Sequence, residues 1–232
     1  MPSTPPTPKE TAPTTPPADY TLTGVFIASV LAAVIIALTC VVVWAHGPAG
    51  PDAAWLQWFI DHRTDTWTTV AKAISDAGGT TSVTVYATLA CLLLAWRRYW
   101  NRAVLVAVTS AGAGLIVFFG KLLIGRDRPP VVDHLVTETN HSYPSGHALG
   151  STVVIGILVV VALPWLRPVA RAVVTALAVL FVLAVGLSRL YLGVHWPTDV
   201  LAGWLMGACW LTICLTLSPL TRLVTDRLPG RD

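Results

Sequence analysis

The chain has 232 residues, of which 54% are hydrophobic and 12% are charged, and its mean hydropathy is +0.67. A soluble domain carries about 25% charged residues, so this composition excludes an ordinary soluble globular protein. The net charge of +3 is too small to predict nucleic acid as a partner. The composition instead predicts a protein that lies in a lipid bilayer.

Residues 1–20 differ in composition from everything that follows. Seven of the first 17 residues are proline and five are threonine. Such a segment cannot bury enough apolar surface to offset the entropy lost on ordering. We therefore predict a disordered tail over residues 1–20.

Six stretches contain no Asp, Glu, Lys or Arg and are rich in Val, Leu, Ala and Ile. They are residues 20–51, 77–96, 103–120, 139–166, 172–188 and 200–221. A helix of about 20 apolar residues spans the ~30 Å of hydrocarbon in a bilayer. Backbone polar groups must pair inside lipid, and the stretches lack the alternating pattern of barrel strands. We therefore expect an all-α bundle of six transmembrane helices over residues 21–221.

Lysine and arginine residues are unevenly distributed between the two sides of this bundle. Nine lie in the N-terminal tail, the second and fourth loops and a C-terminal tail at 222–232, against six in the other loops. Because basic residues concentrate on the cytoplasmic side, we predict a multi-pass membrane protein with both termini in the cytoplasm. Twelve Arg against three Lys, with abundant Ala and Val, are typical of a GC-rich bacterial genome, so we expect the membrane to be a bacterial plasma membrane. The first, third and fifth loops then face outward, and the first loop, 46–79, has the apolar pattern of an amphipathic helix at the outer interface.

Three clusters in the third loop and the fifth loop hold polar residues that helix packing does not require. They are Lys121-Leu-Leu-Ile-Gly-Arg-Asp-Arg128-Pro129, Pro144-Ser145-Gly146-His147, and Ser188-Arg189 with His195 and Asp199 after it. Each cluster alone is also typical of a simpler feature: a cation at a helix end, a turn with a helix cap, or a polar pair at a helix start. Together they bring three cations, two histidines, a carboxylate and a helix N-terminus to one face of the bundle.

These residue types suit a phosphate ester. The side chains of Lys121, Arg128 and Arg189 can neutralise phosphate oxygens, and each arginine can donate two hydrogen bonds at once. The backbone N–H groups of Ser145, Gly146 and His147 can add donors at the start of a helix, where the dipole favours an anion. No pair of acidic residues is spaced to hold Mg²⁺, so we expect no metal and no other cofactor.

Two histidines can share the covalent steps, one attacking phosphorus and the other protonating the departing oxygen. His195 is the better candidate nucleophile because Asp199 follows four residues later, in the first turn of a helix that begins at Pro197. The carboxylate can accept a proton from one ring nitrogen and leave the other free to attack. His147 is then the candidate acid, and later the base that activates water.

The three clusters together resemble the signature of the type 2 phosphatidic acid phosphatase superfamily, which is K-x6-RP, PSGH and SR-x5-H-x3-D. Every signature position is matched between Lys121 and Asp199. The resemblance implies a metal-independent phosphatase that acts through a phosphohistidine, with His195 as nucleophile and His147 as acid. It also implies that the phosphate ligands are Lys121, Arg128, Ser145, Gly146 and Arg189.

The leading hypothesis is an integral membrane phosphatase that hydrolyses lipid phosphate monoesters or diphosphates, such as phosphatidate or a polyprenyl diphosphate, at the outer leaflet. A lipid phosphotransferase, which passes the phosphoryl group to an acceptor other than water, fits the same residues. A membrane transporter is disfavoured because the six stretches carry no charge and no internal repeat.

Within the third loop, we expect Arg126 and Asp127 to be solvated or paired with each other, and Glu138 to be an ordinary loop residue.

Overall fold

The computed structural model describes residues 18–45 and 47–218. Within this part of the chain the regular structure is entirely helical, in agreement with the predicted all-α class. The helices are α1 (Ala18–Ala45), α2 (Asp52–Asp61), α3 (Asp65–Ala77), α4 (Thr80–Trp96), α5 (Trp100–Ile124), α6 (Gly146–Ala162), α7 (Pro168–Tyr191) and α8 (Pro197–Leu217). Most of the predicted disordered tail and all of the basic tail at 222–232 lie outside the described residues.

Five of the described helices are long and apolar enough to cross a membrane. They are α1, α5, α7, α8 and α6 with the 3-10 turn that extends it to Trp165. Helix α4 has 17 residues and reaches this length only as the continuation of α3, from which it is bent by 41°. The bundle therefore has five candidate spans, or six where α3 and α4 form one bent span. Large apolar side chains such as Leu22, Phe118 and Leu180 are more than 60% exposed, as expected for surfaces in contact with hydrocarbon.

Two of the predicted boundaries are wrong. The fourth predicted span, 139–166, becomes helical only at Gly146. Residues 125–145 cross one end of the bundle without a regular α-helix. The three prolines of this segment remove the N–H donors that a helix needs. The first loop forms two helices, α2 and α3, where we expected one. Thr64 separates them, since its hydroxyl oxygen accepts a hydrogen bond from the Trp67 N–H and caps α3.

Helix α6 lies in the middle of the bundle, with α4, α5, α7 and α8 packed against it, while α1 packs on α8. Leu149, Val153 and Ile157 of α6 are completely buried in these contacts. On α8, glycines stand at 203 and 207, and a Cβ atom at Gly203 would come within 2.7 Å of the Ser145 carbonyl oxygen. The small residues therefore let α8 lie close against the beginning of α6, as small residues do at helix contacts in membranes.

Candidate active site

The three clusters predicted from the sequence meet at one end of the bundle. They contribute Lys121 in the last turn of α5, Arg128 in the following segment, Ser145 before α6, Gly146 and His147 in its first turn, Arg189 in the last turn of α7, His195 before α8, and Asp199 in its first turn. Helices α5 and α7 end where α6 and α8 begin. The up-and-down order of the helices therefore brings the four helix ends to the same side.

His195 and Asp199 form a buried pair whose residues are 1% and 0% exposed. The Nδ1 atom of His195 lies 3.4 Å from Oδ2 of Asp199. The same oxygen accepts hydrogen bonds from the Ser142 hydroxyl at 2.7 Å and the Trp196 N–H at 2.9 Å, which fix the carboxylate. We assign the ring hydrogen to Nδ1 because that atom faces a carboxylate, and this leaves the lone pair of Nε2 available.

The surroundings of His195 favour a neutral ring. Burial, and then the positive charges of Arg128, Arg189 and Lys121, lower the pKa of His195 well below its ordinary value. Both causes act against the imidazolium form, since that form has to be desolvated and placed among other cations. The neutral form is the one that can attack an electrophile.

Arg128 extends from the 125–145 segment to the ring of His195. Its Nη1 atom lies 3.3 Å from Nε2 of His195 and donates to the Val194 carbonyl oxygen at 2.5 Å. Its Nε and Nη2 atoms donate to the backbone and side-chain oxygens of Asn140, both at 2.7 Å. These bonds hold a guanidinium group against Nε2, the candidate attacking atom, which accepts a hydrogen bond from Arg128 in the structure.

Glu138 bridges the two arginines that are the candidate phosphate ligands. One of its carboxylate oxygens accepts a hydrogen bond from Arg189, and the other lies 3.3 Å from Nη2 of Arg128. Arg189 also donates to the hydroxyl of Ser75, from α3, at 2.6 Å. Two guanidinium groups are thus close enough to share one anionic group, which is the arrangement that a phosphate needs.

Lys121 and the start of α6 complete the set of donors. The Nζ atom of Lys121 donates to the His141 carbonyl oxygen and, at 3.1 Å, to the side-chain oxygen of Asn140. Ser145 is completely buried, and its hydroxyl has no hydrogen-bond partner in the part of the chain that the structure describes. The Ser145 N–H donates to the Asp199 carbonyl oxygen at 3.0 Å, so it is not the available donor that we expected. The first N–H groups of α6 itself, at Gly146 and His147, have no partner inside the helix, so this end of α6 can bind an anion.

A cavity of about 720 Å³ leads from these polar groups into the bundle. Lys121, Arg128, His147 and His195 line one part of it. Small and apolar residues of α4, α5 and α6 line the remainder, among them Val83, Ala87, Ala107, Ala111, Gly114 and Val154. A cavity with charged groups at one end and mostly apolar walls elsewhere suits an amphiphilic ligand.

Arg126 does not lie where the sequence analysis placed it. It is 7% exposed, and it forms ion pairs with Asp199 at 2.6 Å and with Asp52 at 2.7 Å. The expectation that it is solvated or paired with Asp127 is therefore wrong. Asp52 begins α2, far from the three clusters in sequence, so no spacing indicated the contact. The available signal was the scarcity of charge, because an arginine beside apolar stretches needs a partner.

Three further residues of the 125–145 segment were not assigned to the site from the sequence. Glu138 and Asn140 hold the cations, and Ser142 holds the carboxylate of Asp199. Their positions follow from the path of the segment across the helix ends, which the sequence does not specify. Among the described residues, no three His, Cys, Asp or Glu side chains are grouped as ligands for a metal ion.

Comparisons with known proteins match the part of the chain that carries these clusters. The model of the PAP2 superfamily matches residues 102–222, slightly more than half of the chain. An undecaprenyl-diphosphatase of Sulfolobus acidocaldarius is 29% identical over 133 residues, which are 55% of this chain and 60% of that protein. A phosphatidylglycerophosphatase B of Bacillus subtilis is 36% identical over 115 residues, which are 48% of this chain and 55% of that protein. The matches thus span less than two thirds of either relative.

Two solved structures have a similar fold. One is a transmembrane PAP2 type phosphatidylglycerolphosphate phosphatase from Bacillus subtilis, with a TM-score of 0.65 and 23% identity over 85% of this chain and 92% of the other. The second is LpxE from Aquifex aeolicus, with a TM-score of 0.58 and 17% identity over 72% of this chain and 95% of the other. At these identities the likeness concerns the fold.

Proposed function

The chain belongs to the PAP2 superfamily, and from this premise we propose that it is an integral membrane lipid phosphatase. Its substrates are phosphate monoesters or diphosphates of lipids, of the phosphatidate or polyprenyl diphosphate type. The names of the two relatives support this class, since both refer to the removal of phosphate from a lipid. In this proposal both termini are cytoplasmic, and the site lies at the outer face of the plasma membrane.

The observation that carries the proposal is the cavity that joins the cations and histidines to a largely apolar space between α4, α5 and α6, lined in part by exposed residues. A water-soluble phosphate ester would need only the polar end of this cavity. The apolar part, between α4, α5 and α6, offers a place for hydrocarbon next to the phosphate site. The combination therefore supports a lipid phosphate as substrate.

In the first step, Nε2 of His195 attacks phosphorus and the bond from phosphorus to the leaving oxygen breaks. His147 donates a proton to that oxygen, and the lipid leaves while the phosphoryl group stays on His195. The carboxylate of Asp199, 3.4 Å from Nδ1, stabilises the positive charge that develops on the ring. Lys121, Arg128 and Arg189 are the candidate partners of the equatorial oxygens. In the structure, both arginines contact the carboxylate of Glu138.

In the second step, His147 accepts a proton from a water molecule and the resulting hydroxide attacks the phosphohistidine. The nitrogen–phosphorus bond breaks, inorganic phosphate leaves, and both histidines return to their starting state. In this scheme no metal ion is required, because cationic side chains neutralise the phosphate. Activity in EDTA is therefore expected.

Phosphate release by the detergent-purified protein tests the proposal. We expect release, in the presence of EDTA, from at least one of phosphatidate, lysophosphatidate, phosphatidylglycerophosphate and a polyprenyl diphosphate. His195→Ala is expected to abolish it while the protein keeps the elution volume of the native chain. Absence of release from all four lipids, or near-normal turnover by His195→Ala, would contradict the proposal.

A second experiment tests the role of the cavity. A Cβ atom at Gly114 would meet open space, so Gly114→Phe places a ring in the cavity without a clash at its base. We expect kcat/KM for long-chain lipid phosphates to fall about tenfold or more, because each displaced methylene group is worth ~0.8 kcal/mol. Hydrolysis of a short-chain or aryl phosphate is expected to persist. Val104→Phe, on an exposed face of α5, is the matched control, and equal effects of both variants would contradict this role of the cavity.

A further inference from the structure

Arg126 lies behind the candidate nucleophile, on the side of Asp199 away from His195. Its Nη1 atom is 2.6 Å from Oδ1 of Asp199, whereas His195, Ser142 and the Trp196 N–H all face Oδ2. The two oxygens of this carboxylate therefore have separate partners. Arg126 is the positively charged partner of this carboxylate, and it is buried, with 7% of its surface exposed.

The guanidinium group of Arg126 is fully engaged at its two terminal nitrogens. Nη1 also donates to the Thr198 hydroxyl at 2.8 Å, and Nη2 donates to the Gly47 carbonyl oxygen at 2.9 Å and to Oδ2 of Asp52 at 2.7 Å. Four hydrogen bonds use the four N–H groups at these nitrogens. Arg126 is thus committed to the protein framework, in contrast to Arg128, which lies beside the reactive nitrogen of His195.

Asp52 anchors Arg126 from the first loop. Its carboxylate is completely buried and also accepts hydrogen bonds from the N–H groups of Ala49 and Thr198, both at 2.9 Å. Asp52 therefore ties the start of α2 to the first turn of α8 and to Arg126 at once. A guanidinium group held at four points cannot turn away from Asp199 without the loss of several buried hydrogen bonds.

The charge of Arg126 matters as much as its position. A buried carboxylate without a counter-charge takes up a proton instead of staying ionised. A protonated Asp199 could no longer accept the Nδ1 hydrogen of His195 as an anion, and the charge that develops on the ring during attack would lose its compensation. The positive charge of Arg126, 2.6 Å from Oδ1, acts against this effect of burial and favours the ionised state that this task needs.

We propose that Arg126, anchored by Asp52, is a positioning residue that holds Asp199 ionised and oriented toward Nδ1 of His195. This inference rests on the proposed phosphatase function and adds to the same site Arg126 and Asp52, which the sequence analysis did not count among the site residues. It assigns Arg126 to the chemical step and not to phosphate binding.

Steady-state kinetics of Arg126→Gln with a lipid phosphate, together with inhibition by vanadate, test the assignment. We expect kcat to fall about 100-fold or more, as when an orienting acid is removed from a catalytic histidine. KM and the inhibition constant of vanadate are expected to change by less than about threefold, because Lys121, Arg128 and Arg189 remain in place. Arg126→Lys, which keeps the charge but not the fork, is expected to restore part of kcat. An effect on KM and vanadate binding with kcat unchanged would overturn the proposal.

A double-mutant cycle separates positioning from general stability. Asp199→Asn and Arg126→Gln remove the same function, so the double variant is expected to be about as slow as the slower single variant. If the fold-losses of kcat in the two single variants multiply in the double variant, the proposal is overturned. Arg102→Gln is the matched control, since Arg102 is also buried, with 6% of its surface exposed. Arg102 lies at the beginning of α5, at the other end of this helix from Lys121, and its guanidinium group lies over the ring of Trp165. We expect it to lower thermal stability and to leave kcat of the folded protein unchanged.

Two further results keep the test decisive. If Arg126→Gln does not accumulate as folded protein, Arg126→Lys carries the same comparison: reduced kcat with unchanged vanadate binding supports the proposal, and unchanged kcat overturns it. If the native chain releases no phosphate from any lipid, the proposed function itself fails. If the native chain is active, His195→Ala is inactive and Arg126→Gln has native kcat, only the present inference fails.

Discussion

His195 is the residue at which burial, charge and hydrogen bonding act most strongly together. Its Nδ1 atom faces Asp199, Arg128 lies 3.3 Å from Nε2, and the charges of Arg189 and Lys121 also act on the ring. In water these cations would disfavour a protonated histidine only weakly, but a buried ring lacks the solvent that screens them. The chemistry proposed for the ring therefore depends on the neighbours of His195 as much as on its own identity.

The pH dependence of kcat/KM should reflect this environment. Because the pKa of His195 is lowered, the neutral ring persists as pH falls, and activity is lost only when pH passes below this reduced value. We expect the acid limb of the profile to have its midpoint below ~6.5, the ordinary pKa of histidine. A midpoint at or above this value would contradict the expectation.

The substrate also titrates in this range, since a phosphate monoester has a second pKa near about 6. The profile is therefore measured again with an aryl phosphate, whose second pKa is lower than that of an alkyl phosphate. A limb that belongs to His195 stays in place when the substrate is changed. A limb that moves with the substrate reports the phosphate instead.

At the level of the helices, the site depends on how closely α8 approaches the start of α6. The Ser145 N–H donates to the Asp199 carbonyl oxygen at 3.0 Å, so the two helix beginnings are directly joined. Gly203, one turn further along α8, makes room for this contact. The N-terminus of α6, the candidate phosphate site, and the first turn of α8, which carries Asp199, are thus held by one helix contact.

Gly203→Ala is expected to destabilise the protein and to reduce activity together. Its Cβ atom would meet the Ser145 carbonyl oxygen at 2.7 Å and the Ala148 Cβ atom at 2.9 Å, and the backbone atom cannot rotate away. Overpacking of this kind costs about 1–3 kcal/mol. Thermal unfolding in detergent measures the effect. Gly114→Ala, at a position where a Cβ atom meets open space, is expected to keep or raise the unfolding temperature, and equal losses in both variants would contradict the explanation.

For the whole molecule, the proposed topology places the candidate site and the basic loops on opposite sides of the membrane. Arg97 and Arg98 lie between α4 and α5, at the other end of α5 from Lys121. Lys and Arg residues in short loops are retained on the cytoplasmic side. The site therefore faces outward in our proposal, where it can meet lipids of the outer leaflet.

Cysteine labelling in intact cells tests this orientation. In a variant without the four native cysteines, Thr66→Cys reports the side of the site, since Thr66 is exposed in the first turn of α3. Arg97→Cys reports the opposite side. We expect a membrane-impermeant maleimide to label Thr66→Cys in intact cells and Arg97→Cys only after lysis. The reverse pattern would show that the site is cytoplasmic.

Much of the architecture was predictable because lipid limits what a chain can do. Backbone groups must pair inside hydrocarbon, so uncharged stretches predict helices, and the predicted all-α class is confirmed for the described residues. The start of α8 at Pro197 was also predicted, since proline favours the first turn. The stretch before Gly146 was misjudged, because absence of charge does not distinguish a helix from an irregular segment whose polar backbone is satisfied by neighbouring side chains.

By itself, the sequence determined the helical class, the apolar spans and the residue types of the candidate site, because charge scarcity and fixed spacing are local properties. Only the tertiary structure decided that Arg126 faces Asp199 and Asp52, that Glu138 lies between Arg128 and Arg189, and that a cavity reaches the histidines. These contacts join residues from separate parts of the chain, and spacing along a chain carries no information about such distances. Adjacent residues such as Arg126 and Asp127 can pair in principle, but burial gave Arg126 better partners elsewhere.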